Sequence, residues 1–356
     1  MLKNIFIDNI IFDLQRNGGI SVVWYELIRR LISNKEFSLS FLDNKNLQNF
    51  FRNKLSIPSI CLKDKFISLS RYLPVSINSR DKFVFHSSYY RFCRNKCAVN
   101  VTTVHDFTYD YYRKGPAKWL HCWQRNRAIR HSDYVVCISE NTKRDLLKFL
   151  PDVEELKIRV IYNGVSEDYY TIDNMNAPSH KLPFCPGSYL VFVGSRVSYK
   201  NFDLLKRVVS RTKYNLVIVG SKLTDEEIKD IQHYLSPERY VSTGFLSNEQ
   251  LNIVYNHAAA LVYPSAYEGF GIPVIEAQKA SCPVIAYNGS SIPEIIGATP
   301  LLMKSLTEEE LICKIEMLSD SQMMNKIRID GLENAKRFSW EKMYDEYVKL
   351  YNEALG

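Results

Sequence analysis

Residues 260–287 read ALVYPSAYEGFGIPVIEAQKASCPVIAY, and this stretch decides the fold. It opens on an apolar run of strand length, ALVYPS, and closes on a second, CPVIAY. Between them lie the turn Tyr267, Glu268, Gly269, Phe270 and Gly271 and the helical segment IPVIEAQKAS. Pro273 falls in the first turn of that helix, where its missing N–H has no intrahelical partner to lose. Two strands joined through a helix run parallel, because a parallel pair needs a crossover and cannot be closed by a tight turn. Apolar runs without polar alternation fit strands covered on both faces.

The alternation extends in both directions. Upstream come the strand SYLVFVGS, a helix around FDLLKRVVS, the strand YNLVIVG, the helix EEIKDIQHYL, the strand RYVSTG and the helix LSNEQLNIVYNHA. The first half repeats the plan. NIFIDNIIF is a strand, DLQRNGG a loop, and ISVVWYELIRRLI a helix with Ile20, Val23, Leu27, Ile28 and Leu31 at helical spacing. KFVFHSS, NVTTVHD and SDYVVCISE are further strands, TKRDLLKFL is an amphipathic helix stopped by Pro151, and KIRVIYNGV closes this half. Residues 165–187 are polar, carry three prolines and show no period, so a linker is expected there. The expected architecture is α/β: two Rossmann-like, doubly wound domains, 1–164 and 188–338, facing a central cleft. A helix over 339–356, with Ser339 as candidate N-cap, is expected to pack back on the first domain.

A chain of 356 residues suits two such domains. No stretch approaches the roughly 18 to 20 uninterrupted apolar residues of a membrane span. Asp8 and Asp13 interrupt the N-terminal apolar run, which argues against a signal peptide and for a cytoplasmic protein. The eight cysteines are scattered and read as reduced thiols; Cys93, Cys97, Cys122 and His121 lack the second close pair that would complete a zinc tetrahedron. The net charge of +7 is local: residues 45–96 hold eleven Lys and Arg against Asp64 and Asp81. Phe50, Phe51, Phe66, Ile67, Leu69, Tyr72 and Leu73 interleave with that charge, a mixture that fits either an anionic membrane surface or a solvated basic face. No nucleic-acid motif accompanies it.

Glu268 and Glu276 are eight residues apart, one in the glycine turn at a strand's carboxyl end and one about a turn into the helix, so both can face a cleft. Ionised carboxylates accept paired hydroxyl donors, which suits ribose or hexose recognition. The N–H groups of Gly269, Phe270 and Gly271 at the helix start can meet phosphate. In FVGSRVSYKN, Arg196 and Lys200 follow a buried strand, where two cations can neutralise a diphosphate without a metal; capping surface cations is the plainer reading. Gly18 and Gly19 open the first helix, whose amides can face the same group. Gly220, Ser221 and Lys222, and Gly244, Phe245 and Leu246, end neighbouring strands and are candidates for a nucleotide base pocket. His105 ends an apolar strand beside Asp106, which could orient it.

The run EGFGIPVIEAQKASCPVIAYNGSSIPEIIG, with VHD at 104–106, VVCISENTKRDL, VIYNGV and FVGSRVSYKN, resembles glycosyltransferase family 4, the retaining family of GT-B fold. The resemblance spans most of the chain. It implies that Glu276 holds the ribose diol, that Glu268 lies beside the donor sugar and the reaction centre, and that His105 points toward the transferred sugar and acceptor. The family often has its Arg directly after VG, where this chain has Ser195 before Arg196, so Lys200 is the firmer match. The implied activity is metal-independent transfer of a hexose from GDP-mannose or a UDP-sugar, with no cofactor, to a saccharide acceptor that is lipid-linked at the inner membrane face. A catalytically inactive nucleotide-sugar-binding subunit is the alternative. A dinucleotide oxidoreductase is disfavoured, because no Gly-x-Gly-x-x-Gly follows a strand.

Overall fold

The computed structural model describes residues 2–16, 18–43, 49–61, 67–172 and 182–356. The chain divides into two compact units: Met1–Gly164 with Trp340–Gly356, and Val165–Ser339.

Unit 1 is built on β1 (Lys3–Asp8), β2 (Phe37–Asp43), β3 (Ser59–Cys61), β4 (Phe83–Ser87), β5 (Ala98–Val104), β6 (Tyr134–Cys137) and β7 (Ile158–Val160). They form a parallel sheet in the order β3-β2-β1-β4-β5-β6-β7. Unit 2 is built on β8 (Tyr189–Val193), β9 (Asn215–Val219), β10 (Tyr240–Gly244), β11 (Ala260–Tyr263), β12 (Val284–Tyr287) and β13 (Leu302–Met303). Its order, β10-β9-β8-β11-β12-β13, is the same plan, again parallel. In each sheet the chain enters at the middle, winds to one edge, then returns to fill the other side. The reversal lies between β1 and β4 in unit 1 and between β8 and β11 in unit 2; in open α/β sheets the carboxyl ends of the strands at such a point are where ligands bind.

The apolar runs read from sequence are the inner strands. Leu190, Phe192, Leu216, Ile218, Val262 and Ile285 pack with Leu205, Val208 and Ile231 from the covering helices. Burying each such side chain fully contributes about 1.5–3 kcal/mol before chain entropy is charged against it. The expected strand 4–12 stops at Asp8, and Ile11–Leu14 is a short helix. The Ile11 N–H donates to Ser88 Oγ at 2.9 Å rather than to a neighbouring strand.

The helix Trp340–Leu355 belongs to unit 1. His86 on β4 sits in a buried polar chain with it: Nδ1 lies 2.7 Å from Tyr351 Oη, Nε2 lies 2.9 Å from Thr103 Oγ1, and Thr103 Oγ1 lies 3.0 Å from Tyr347 Oη. Of the stretch 165–187, residues 165–172 are part of unit 2 and 173–181 lie outside the described residues. Three asparagines one turn apart on the helix Asn248–His257 hold 165–172. Asn248 Nδ2 donates to Asp168 at 2.9 Å, Asn252 Oδ1 accepts from Tyr170 N at 3.1 Å, and Asn256 Oδ1 accepts from Ile172 N at 2.8 Å.

Candidate active site

In unit 2 the two loops that leave the reversal point carry the first pair of candidate side chains. The loop after β8 ends in Lys200 and the loop after β11 carries Glu268; Lys200 Nζ lies 3.0 Å from Glu268 Oε1. Both side chains are mostly buried. The buried Tyr263, last residue of β11, hydrogen-bonds Glu268, and its ring lies 5.5 Å from Lys200 Nζ. The loops are stapled together by their backbones: Ala266 N donates to Tyr199 O at 2.7 Å, and Asn201 Nδ2 donates to Pro264 O at 2.9 Å. Ser290 and Ser291 hold the glycine turn from below, with Glu268 N donating to Ser290 Oγ at 2.9 Å and Ser291 Oγ donating to the Glu268 and Phe270 carbonyls. Gly271 starts the helix Ile272–Lys279 at φ 98°, and a Cβ there would stand 2.8 Å from Ile292 Cδ1, so only glycine fits without displacement.

Gly220 follows β9 and lies beside Gly194, which follows β8. A Cβ on Gly220 would stand 2.6 Å from Gly194 O, so the close approach of these strand ends requires its glycine. Gly220 N donates to Gly244 O at 3.1 Å, bringing the third strand end alongside. Ser221 and Lys222 are exposed, and Phe245 is 76% exposed; Leu246 is half-buried.

Arg196, the other expected diphosphate cation, is held by a carboxylate of its own. Its guanidinium is gripped by Glu227, with Nε to Oε1 at 2.6 Å and Nη2 to Oε2 at 2.9 Å, and by the Ser221 and Lys222 carbonyls at 3.1 and 3.2 Å. This hydrogen bonding holds the Glu227 carboxyl down at about 2. The cause is local: Glu227 stands at the third helical position of a capping box with Thr224, which fixes its carboxylate beside the end of β9.

Glu276 projects from the helix Ile272–Lys279 toward two tyrosines. Tyr255 Oη donates to Oε2 at 3.3 Å, and Tyr169, on the segment bound by the asparagines, also hydrogen-bonds the carboxyl. Burial pushes that carboxyl up to about 7, while the tyrosine bonds pull the other way. Tyr263, Tyr255 and Tyr169 were not singled out from sequence; Tyr263 had a signal in its place at a strand end before the glycine turn, and Tyr169 had none.

In unit 1, Gly18 and Gly19 begin the helix Gly19–Leu31. Its entry is fixed by Asn49, whose Nδ2 donates to Gln15 O at 2.6 Å and to Ser21 Oγ at 3.1 Å. His105 follows β5 and is buried, which holds its imidazole down at about 4 and therefore neutral at pH 7. Asp106 Oδ1 accepts from Thr108 N at 2.9 Å, a turn contact that ties it to the next helix. At the reversal point Asp8 pairs with Arg91 and accepts from Ser87 Oγ at 2.7 Å, all buried.

The basic stretch 45–96 is partly neutralised inside the fold, through Arg91 to Asp8 and Arg52 to Asp43. Residues 45–48 and 62–66 of that stretch, Phe66 among them, lie outside the described residues. Among the described residues no group of three His, Cys, Asp or Glu is placed to hold a metal ion, and Cys93, Cys97, Cys122 and His121 make no ligand set.

Two doubly wound parallel sheets, each reversing its winding in the same order, are the architecture of the GT-B fold. A family model described as Glycosyltransferase Family 4 matches residues 17–169, and one described as Glycosyl transferases group 1 matches 185–351. Together they account for nearly all of the chain, which belongs to this glycosyltransferase family. It is 23% identical over 270 residues to the O-antigen chain mannosyltransferase B of Escherichia coli, covering 70% of this chain and 69% of that one. It is 28% identical over 246 residues to the O-antigen chain mannosyltransferase RfbU of Salmonella typhimurium, covering 66% of each. The match to the serotype-specific mannosyltransferase WbdA of Escherichia coli, 23% identical, spans 60% of this chain but only 28% of that protein. Among solved structures, Anabaena HepE in complex with UDP-glucose superposes with a TM-score of 0.75 at 14% identity, over 99% of this chain and 100% of that one. The Thermosynechococcus elongatus sucrose-phosphate synthase gives 0.73 at 18%, over 99% and 98%. These last two likenesses concern the fold.

Proposed function

We propose that this glycosyltransferase moves a hexose, with retention, from a nucleotide-sugar to a lipid-linked saccharide in bacterial surface polysaccharide synthesis, at the cytoplasmic face of the inner membrane. The observation that carries this reading is the Lys200–Glu268 pair at the reversal point of unit 2. Lys200 and the N–H groups of Gly269, Phe270 and Gly271 neutralise the departing diphosphate, so positive charge comes from the protein without a metal. Glu268 accepts from hydroxyls of the donor sugar, and Glu276 accepts the ribose diol. Gly220 and Gly244 line the nucleotide, with Ser221, Lys222, Phe245 and Leu246 beside it. Arg196 acts here through its hold on Glu227 and the β9 loop; it reaches the phosphates only by giving up that carboxylate.

The chemistry needs no protein nucleophile. The bond between the anomeric carbon and the phosphate oxygen breaks as the acceptor hydroxyl forms its bond on the same face, and the acceptor proton passes to a phosphate oxygen of the leaving group. His105 and Asp106 of unit 1 serve the transferred sugar and acceptor, and the amides at Gly18 and Gly19 add to diphosphate binding. The names of the mannosyltransferase relatives support mannose as the sugar, hence GDP-mannose of the two donor classes; the UDP-glucose complex of the structural neighbour supports a UDP-hexose.

Thermal-shift screening against GDP, UDP and dTDP sugars, followed by turnover with the stabilising donor and assignment of the product's anomeric configuration, tests the reading. A donor that stabilises the protein and yields the same anomeric configuration supports it. Stabilisation without transfer or hydrolysis points to a binding subunit, and an inverted product removes the mechanism.

A further inference from the structure

Residues 113–131, RKGPAKWLHCWQRNRAIRH, hold six Lys and Arg and no Asp or Glu. Most of them form the helix Pro116–Arg130. Its inner side is locked in place: Arg125 pairs with Asp110 and stacks 4.1 Å over the Phe107 ring. Its outer side carries Trp119 and Trp123, one turn apart and 68% and 40% exposed. Gln124 Nε2 donates to Arg71 O at 2.7 Å and Arg127 Nη1 to Tyr72 O at 3.2 Å, which sets the turn bearing the exposed Leu69 and Leu73 against the same helix. A groove of about 600 Å³ runs along the helix past Lys118, Trp119 and Trp123. Lys118 Nζ donates to the Asp110 carbonyl at 2.6 Å, whereas among the described residues Arg113 and Lys114 are exposed and have no carboxylate partner, so their charge is open to an external anion.

We propose that this face, with Leu69, Leu73, Trp119 and Trp123 as its apolar anchors and Arg113 and Lys114 as its cations, docks on the anionic surface of a lipid bilayer. Indole rings favour the headgroup level, where the ring is buried and the N–H stays wet. Cations near an anionic surface strengthen binding about fivefold each, within a Debye length. The carboxylate and the amide along the groove, Asp110 and Asn126, are both engaged by Arg125, so the rim offers cations rather than free acceptors for sugar hydroxyls. Among the described residues no helix is long and apolar enough to cross a membrane, so the contact is peripheral. The proposal rests on the reading that places the transferase at the inner membrane face, names the surface that meets the bilayer, and involves none of the donor-site residues.

The test is flotation of the full chain with vesicles of equimolar phosphatidylcholine and phosphatidylglycerol, against phosphatidylcholine alone. Binding to the anionic vesicles only, weakened by salt, with a blue shift of tryptophan emission, is expected. Trp119→Ser with Trp123→Ser, and separately Arg113→Gln with Lys114→Gln, each lower partitioning about tenfold or more. Transfer to a water-soluble acceptor without vesicles stays at the parent rate. The charge pair is fully surface-borne and answers the question if the tryptophan pair folds poorly. No binding to anionic vesicles, or parent-level binding by both variants, overturns the proposal. So does loss of soluble transfer with vesicle binding intact, which assigns the face to a saccharide. Failure here leaves nucleotide-sugar stabilisation unchanged, so it is distinguishable from failure of the transferase reading.

Discussion

Lys200 and Glu268 meet at 3.0 Å although they lie on different loops of unit 2, one after β8 and one after β11, the strands that flank the winding reversal. The contact poises a cation beside a carboxylate at the reversal point of a parallel sheet, where ligands of open α/β sheets bind. If Lys200 is the diphosphate partner, Lys200→Ala lowers kcat by about two to three orders of magnitude, as removal of a transition-state charge partner does. Steady-state turnover with the stabilising donor measures it. A variant running within a few fold of the parent rate ends the assignment.

Arg196 and Glu227 should behave as a structural unit. Arg196→Ala and Glu227→Gln each lower thermal stability by an amount equivalent to about 1–2 kcal/mol, for a charge-assisted pair that is only partly buried. Both affect kcat less than Lys200→Ala does. Calorimetry with parallel kinetics separates the possibilities: an unchanged Tm with kcat lost to the depth of Lys200→Ala makes Arg196 a phosphate ligand.

Glu276 gives nucleotide binding and stability opposite pH signatures. Burial raises its carboxyl from the ordinary 4.5 to about 7. Between those values the folded state keeps a proton that the unfolded chain has lost, so stability falls as pH rises through the window. Ribose binding needs the carboxylate, so nucleotide affinity climbs with pH up to about 7 and levels off above it. Tyr255→Phe removes a bond to the charged form and moves the climb to higher pH, while Glu276→Gln abolishes it. Nucleotide titration calorimetry across pH decides, and a flat profile for the parent protein sinks the idea.

His86 makes unit 1 acid-sensitive. Burial, aided by the neighbouring His105, holds its imidazole down at about 3. Below about 6.5 the unfolded chain takes up a proton that the native His86 refuses, so its contribution is full at neutral pH and shrinks by about 2 kcal/mol between pH 7 and pH 5. His105 and His121, both near 4 through burial, act in the same sense. Urea denaturation of His86→Gln at both pH values should show the slope reduced by one proton; an unaltered slope means that His86 is already charged in the native state.

The inner strands were legible because a strand covered on both faces is a continuous apolar run, as in YLVFV and ALVY. β2, FSLSFLD, was passed over because its serines interrupt that run. The helix Pro116–Arg130 escaped because Gln124 and Arg125 are buried while Trp119 and Trp123 face out, reversing the usual amphipathic pattern. The linker reading missed residues 165–172 for a related reason. What fixes them is the ladder Asn248, Asn252 and Asn256 on a distant helix, and hydrogen bonds leave no hydrophobic period.

The linear order of residues determined by itself that strands and helices alternate, that glycines stand at the strand ends, and that a cation, Lys200, and two carboxylates, Glu268 and Glu276, follow those strands. Local propensity and the period of burial are written in neighbouring positions, so they can be read there. Tertiary structure alone decided who meets whom: Lys200 with Glu268, Arg196 with Glu227, Glu276 with Tyr169 and Tyr255, and His86 with the last helix. Those partnerships depend on where the sheet reverses its winding and how its loops close, and a pairing between side chains dozens to hundreds of residues apart leaves no mark on the sequence around either one.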